Sequence, residues 1–124
     1  MNFASERQLS LQHVMKKLPT ADGKPFTELF RHGSLTVELY APRGRDNQSP
    51  HSRDEVYIVA QGSGVFVIGD QRINFAVGDF LFAAAGEVHR FEDFTDDFFA
   101  WVLFYGPEGG ESAQDPEWAV GEIG

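Results

Sequence analysis

At 124 residues, with a formal charge of −9 and no cysteine, the chain has room for one core and not two. The missing cysteines exclude thiol catalysis, Fe–S clusters and cysteine zinc sites, and they suit a reducing compartment. The ten Lys and Arg residues are scattered, which argues against nucleic acid as a partner, and the acidic balance reads as solubility.

Residues 1–25 read as a polar N-terminal arm. The opening MNFASERQLSLQHVMKK is charged throughout and has no apolar core, so no signal peptide is expected. No apolar run approaches the roughly 20 residues that span a bilayer, and a soluble cytoplasmic protein is the expectation. A short helix is predicted over Ser10–Leu18. Ser10 can cap it, Leu11, Val14, Met15 and Leu18 form its apolar stripe, and Pro19 ends it. So short a helix needs a body to dock on. His13 falls on its polar side and reads as solvated.

From Phe26 to Tyr105 the pattern changes to short apolar or alternating runs: Phe26–Phe30, Leu35–Ala41, Val56–Ala60, Val65–Ile68, Arg72–Phe75, Phe80–Ala83, Val88–Phe91 and Phe98–Tyr105. Turn-forming segments such as RHGS, QGSG, GDQ, VGD and AAGE separate them. Closely spaced short strands rich in β-branched and aromatic residues predict an all-β sandwich or barrel. VFVI and FLFA are apolar at every position, which predicts strands covered on both faces, by the interior and by a second sheet or partner subunit. His32, in RHGS, reads as a turn residue. Residues 106–124 lose the apolar pattern and read as a mobile acidic tail, with five acids and no base from Glu108 to Glu122 and a lone Trp118 fit for docking.

The segment NQSPHSRDEVYIVAQGSG raises a geometric question. On one straight strand, His51 and Glu55 would stand roughly 13 Å apart, yet two donors to one metal each lie about 2 Å from it. A bend at SRD, with His51 ending one strand and Glu55 opening the next, makes joint ligation possible. Period-two alternation then puts Tyr57 and Val59 on the face of Glu55. His89 opens VHRF after the turn AAAGE. Two histidines and a carboxylate are a donor set of open, reactive sites, such as non-haem Fe(II) or zinc with a vacant position. The plain alternative is a surface hairpin with a partly satisfied histidine. Arg53 and Asp54 are expected to pair at the barrel mouth, a weak contribution if exposed. Tyr57 and Phe91 share strand faces with Glu55 and His89, which makes them candidate pocket walls. Trp101, Leu103 and Tyr105 share one face of the last strand, whose direction stays open.

Gly44, His51, Glu55 and Gly62, with six residues between the last two, resemble the first motif of the cupin superfamily: glycine, a histidine pair, glutamate, glycine. Gly78, Ala84, Gly86, His89 and Asp93 resemble the second, with each spacing kept and Ala84 and Asp93 standing where the motif has proline and asparagine. The resemblance spans roughly residues 34–105. It implies a jelly-roll β-barrel (a double-stranded β-helix) over 26–105, and a metal site of His51, Glu55 and His89 for Fe, Mn, Ni or Zn. The first histidine of the motif pair falls on Ser49, so the site has three family ligands, with Gln48, Ser49 or water left for the fourth place. The implied function is a metal-dependent dioxygenase or isomerase acting on a small molecule inside the barrel, with Tyr57 the one acid–base candidate by position. The alternative is a barrel that binds or senses a sugar or metabolite without turnover. A homodimer paired through its sheets is also implied.

Overall fold

The computed structural model describes residues 7–112. Eight strands form in chain order: β1 (Phe26–His32), β2 (Leu35–Tyr40), β3 (Asp54–Gln61), β4 (Gly64–Ile68), β5 (Gln71–Phe75), β6 (Phe80–Ala83), β7 (His89–Glu92) and β8 (Phe99–Tyr105). Each predicted run forms a strand, with no end shifted by more than two residues. They make two antiparallel sheets, one in the order β1-β2-β8-β3-β6 and the other β5-β4-β7. This is the all-β jelly-roll barrel.

Alternation along the strands fills the space between the sheets. Tyr57, Val59, Phe66, Phe75, Leu81, Ala83, Phe91, Phe98, Ala100 and Val102 come from both sheets and form one core. Phe91 is its hub, with ring centroids 4.9 Å from Tyr57 and from Phe98 and 5.2 Å from Phe66. Edge-on and tilted aromatic pairs of this kind add to what burial alone contributes.

A second cluster lies on the outer face of the larger sheet. There Val14, Leu29, Leu39, Ala41 and Phe99 are buried, and Leu11, Met15, Leu18 and Trp101 pack beside them. The N-terminal helix docks at this place, as a short amphipathic helix must. It is shorter than predicted: α1 spans only Leu11–Val14 and tightens into a 3₁₀ turn at Met15–Lys17. Ser10 caps it with its backbone carbonyl, which accepts from the N–H groups of His13 and Val14, and not with its hydroxyl.

Because Trp101 packs in the outer cluster, Trp101, Leu103 and Tyr105 face away from the interior, while Val102 lies inside. The expectation of two covered faces holds better for β4 than for β6. No residue of β4 is exposed, whereas Phe80 of the edge strand β6 is 56% exposed. Residues 106–112 turn back onto the barrel, with Gly109 N–H donating to the Ser52 carbonyl (2.6 Å) and Glu111 N–H to Asp54 Oδ2 (2.8 Å). The rest of the acidic run and Trp118 lie outside the described residues. No helix among the described residues is long and apolar enough to cross a membrane.

Candidate metal centre

The inner face of the larger sheet is set by register. Glu55 on β3 stands opposite Ala83 on β6 and Phe104 on β8, and Tyr57 stands opposite Leu81 and Val102. Glu55 therefore points inward with a side chain only 1% exposed. His89, the first residue of β7, reaches the same space from the smaller sheet and is equally buried. His51 comes from an irregular segment ahead of β3, not from the end of a strand as predicted. The chain bends at Ser52–Arg53, and Gly86 N–H donates to the His51 carbonyl (2.8 Å), fastening that bend to the turn before β7. Gly86 holds that turn with φ +81°, where a side chain would be strained. One nitrogen each from His51 and His89 and one oxygen of Glu55 lie within 4.8 Å of one another, a grouping that can hold a metal ion.

The hydrogen bonds show how these atoms are prepared. His89 Nδ1 lies 2.8 Å from the Glu87 carbonyl, which can only accept, so Nδ1 carries a proton and donates. The opposite nitrogen, Nε2, faces Glu55 Oε1 at 2.8 Å and the Tyr57 hydroxyl at 3.0 Å. In a neutral ring Nε2 and Glu55 Oε1 would present lone pairs to each other. A second proton or a cation relieves that clash. Burial alone would lower the His89 pKa, but the hydrogen bonds to Glu55 and Glu87 and the charges of Glu55 and Asp46 outweigh it and hold the ring above its ordinary value. Glu55 Oε2 is buried without a hydrogen-bond partner, 4.0 Å from His51 Nε2. A buried carboxylate oxygen left without a donor is costly, and a cation shared with both imidazoles would satisfy it. The residues fit a divalent metal.

Residues 36–105 match the family described as Cupin domain. The chain belongs to the cupin family. It is similar to an uncharacterised protein of Streptomyces coelicolor, at 31% identity over 71% of this chain and 86% of that protein. Among solved structures it resembles a cupin-2 domain containing protein from Shewanella frigidimarina (TM-score 0.63, 14% identity, 85% of this chain and 100% of that one). It also resembles KdgF from Halomonas sp. (TM-score 0.57, 19% identity, 64% and 76%).

Where the cupin motif has its first histidine, Ser49 is exposed. The residue beside it, Gln48, turns its amide oxygen into the site, 3.3 Å from His51 Nε2 and 3.1 Å from the Tyr57 hydroxyl, which donates to it. Its amide nitrogen donates to Asp46 Oδ2 (2.8 Å), and since a carboxylate only accepts, this fixes which end of the amide faces inward. Asp46 also accepts from the Tyr40 hydroxyl, from Gln48 N–H (3.1 Å) and from Phe91 N–H (2.8 Å). One carboxylate thereby ties the loop after β2 to β7 and aims Gln48.

Other expectations need correction. Arg53 and Asp54 do not pair: Arg53 donates to the carbonyls of Gly106 (3.1 Å) and Ser34, while buried Asp54 accepts from Ala85 N–H (2.9 Å) and Glu111 N–H. Phe91 belongs to the core and not to the cavity wall beside His51, whereas Tyr57 does line that cavity. Burial, with the Glu55 charge next, drives the Tyr57 hydroxyl well above its ordinary pKa, so it serves as a fixed donor. Asp93, at the motif's asparagine position, adopts φ +51°, a left-handed conformation that Asn and Asp tolerate best. His13 and His32 are exposed and stand apart from the cluster.

Two residues of this centre escaped the sequence reading. Asp46 gave no signal beyond lying in a polar loop. Glu38 gave a faint one, an acid in the middle of the alternating strand LTVELY. It lines the same cavity of about 480 Å³ as Gln48, His51, Glu55 and Tyr57.

Proposed function

We propose that this cupin is a metal-dependent enzyme acting on a small organic molecule held in the cavity beside His51, with His51, Glu55 and His89 as ligands of a divalent transition metal such as Fe, Mn, Ni or Zn. The observation that carries this reading is Glu55 Oε2, buried without a donor beside His51 Nε2, while Glu55 Oε1 lies 2.8 Å from His89 Nε2. When bound, the metal supplies Lewis-acid polarisation of a substrate oxygen, with positions left open by a three-residue ligand set.

The chain's own residues do the rest. Glu87 fixes the His89 tautomer, as an outer partner of a ligating imidazole does. Asp46 holds Gln48 so that its amide oxygen offers a neutral donor where the family has another histidine. Tyr57 donates to that oxygen and closes the floor of the cavity. Phe26, Val102 and Phe104 supply apolar wall to the cavity.

Metal content of the purified protein tests the reading, with melting curves recorded on adding each metal. About one metal ion per chain is expected, with a rise in melting temperature and loss of both in His89→Ala. No bound metal, together with melting unchanged by Fe, Mn, Ni and Zn, would overturn it.

A further inference from the structure

Glu38 stands on the inner face of β2 and lines the cavity that His51 and Glu55 also line. Its register partner on β8 is Val102, and the β3 partner of Val102 is Tyr57. Two strand spacings place the Glu38 and Tyr57 backbones roughly 10 Å apart, and both side chains open into the same cavity. Among the described residues no hydrogen-bond donor or cation partners the Glu38 carboxyl. Directly opposite it, on β1, is another acid, Glu28. Glu28 is exposed and paired with Arg31 at 2.7 Å, whereas Glu38 is half-buried beside apolar walls without such a partner, which is unfavourable for an ionised carboxyl. Its carboxyl opens into the cavity.

Charge narrows what the cavity accepts. Its lining contains no Lys or Arg, and the acids Glu38 and Glu55 face inward. Phosphorylated sugars and dicarboxylates would meet no counter-charge from the side chains. An uncharged molecule carrying oxygens suits these walls.

We propose that Glu38 is the proton-transfer carboxyl of this cavity, acting on an uncharged α-hydroxy carbonyl compound whose oxygens face His51, Glu55 and His89. The proposal rests on the metal reading above and adds to it a reaction class, isomerisation by proton transfer. Ionised Glu38 takes the proton from the hydroxyl-bearing carbon. The C–H electron pair becomes a carbon–carbon double bond, and the carbonyl π pair moves onto its oxygen. Glu38 then returns the proton to the former carbonyl carbon, and the hydroxyl proton passes to the former carbonyl oxygen. No electrons leave the substrate, so no oxidant is needed. Burial, then the charges of Glu28 and Glu55, raise the Glu38 pKa to about 7, where both protonation states are populated near neutral pH. The other titratable groups of this cavity are Tyr40 on β2 itself, Tyr57 on β3 and His51 ahead of β3.

The full chain, loaded with Mn(II) or Zn(II), is incubated with dihydroxyacetone in D₂O, and deuterium uptake at carbon is followed by proton NMR. In parallel, carbon-13 NMR follows the glutamate carboxyls of the metal-free protein through a pH titration. We expect exchange in the wild type, and in Glu38→Gln unchanged metal content with exchange slowed at least about a hundredfold. The carboxyl titrating near neutrality should vanish in the same variant. A metal-loaded wild type that does not exchange overturns the proposal, as does Glu38→Gln exchanging at the wild-type rate or keeping the near-neutral titration. A wild type that takes up no metal overturns the metal reading first, and this proposal with it.

Discussion

At the scale of single residues, the candidate centre is arranged by a carboxylate outside its His–Glu–His cluster, that of Asp46. Asp46 accepts hydrogen bonds from Tyr40, Phe91 and both nitrogens of Gln48, so it joins β2, β7 and the loop that follows β2. Hydrogen bonds to a charged group contribute about 1.5–3 kcal/mol each, but four on one carboxylate are not additive. Asp46→Ala should therefore cost about 3–5 kcal/mol in urea unfolding of the metal-free protein. It should also weaken metal binding about 10–100-fold in a chelator competition, since Gln48 is freed to turn away. A loss of stability with metal affinity unchanged would show that Gln48 is not a metal donor. Sequence spacing revealed His51, Glu55 and His89 because a motif fixes their intervals. Asp46 and Glu38 follow no interval, since their roles depend on which strands lie side by side.

At the scale of elements, turn glycines set where the strands carrying Glu55 and His89 begin and end. Gly62, which closes β3, has φ +88°, and a Cβ there would lie 2.5 Å from Thr95 Oγ1 and 2.8 Å from the Phe98 Cα. Gly86 has a similar φ of +81°, but a Cβ there would meet nothing within 4 Å. Gly86→Ala should then lose only the cost of left-handed backbone, about 1–2 kcal/mol. Gly62→Ala adds a clash with backbone that cannot swing aside, for a total of about 3–5 kcal/mol. Urea denaturation of the two variants measures the gap, and equal losses would mean that the Thr95–Phe98 turn yields. The eight strands were legible because alternation and turn residues are local signals. The length of α1 was not, because tertiary contacts of Val14 and Leu11 with the outer sheet face decide where it tightens into a 3₁₀ turn. The uncovered Phe80 was hidden for a similar reason: an apolar run shows that a strand can be buried on both faces, not that something lies over it.

At the scale of the whole molecule, the metal-free protein gathers an acid and a histidine whose pKa values are both raised, and pH exposes them. Glu38 in the folded protein has a pKa of about 7, against an ordinary 4.5. The folded state thus holds a proton that the unfolded chain has already lost between those two values. By linkage, stability from this group is fully present below about pH 4.5 and declines as pH rises through 7. His89 has the same sign: its raised pKa gives stability below its ordinary value of 6.5 that is lost as pH rises through the folded value. Glu38→Gln keeps the shape and removes the ionisable group. Metal-free wild type and Glu38→Gln should therefore melt alike near pH 5, while above pH 7 the variant should be the more stable. Metal acts the other way at His89, since ligation needs the neutral ring, so the gain in melting temperature on adding Zn(II) should grow from pH 5 to pH 8. Melting curves of both proteins across that range, with and without Zn(II), measure both effects. Parallel wild-type and variant curves at every pH would mean that Glu38 titrates in the folded protein as it does in the unfolded chain, and that the acid on β2 is no reservoir of protons for the cavity.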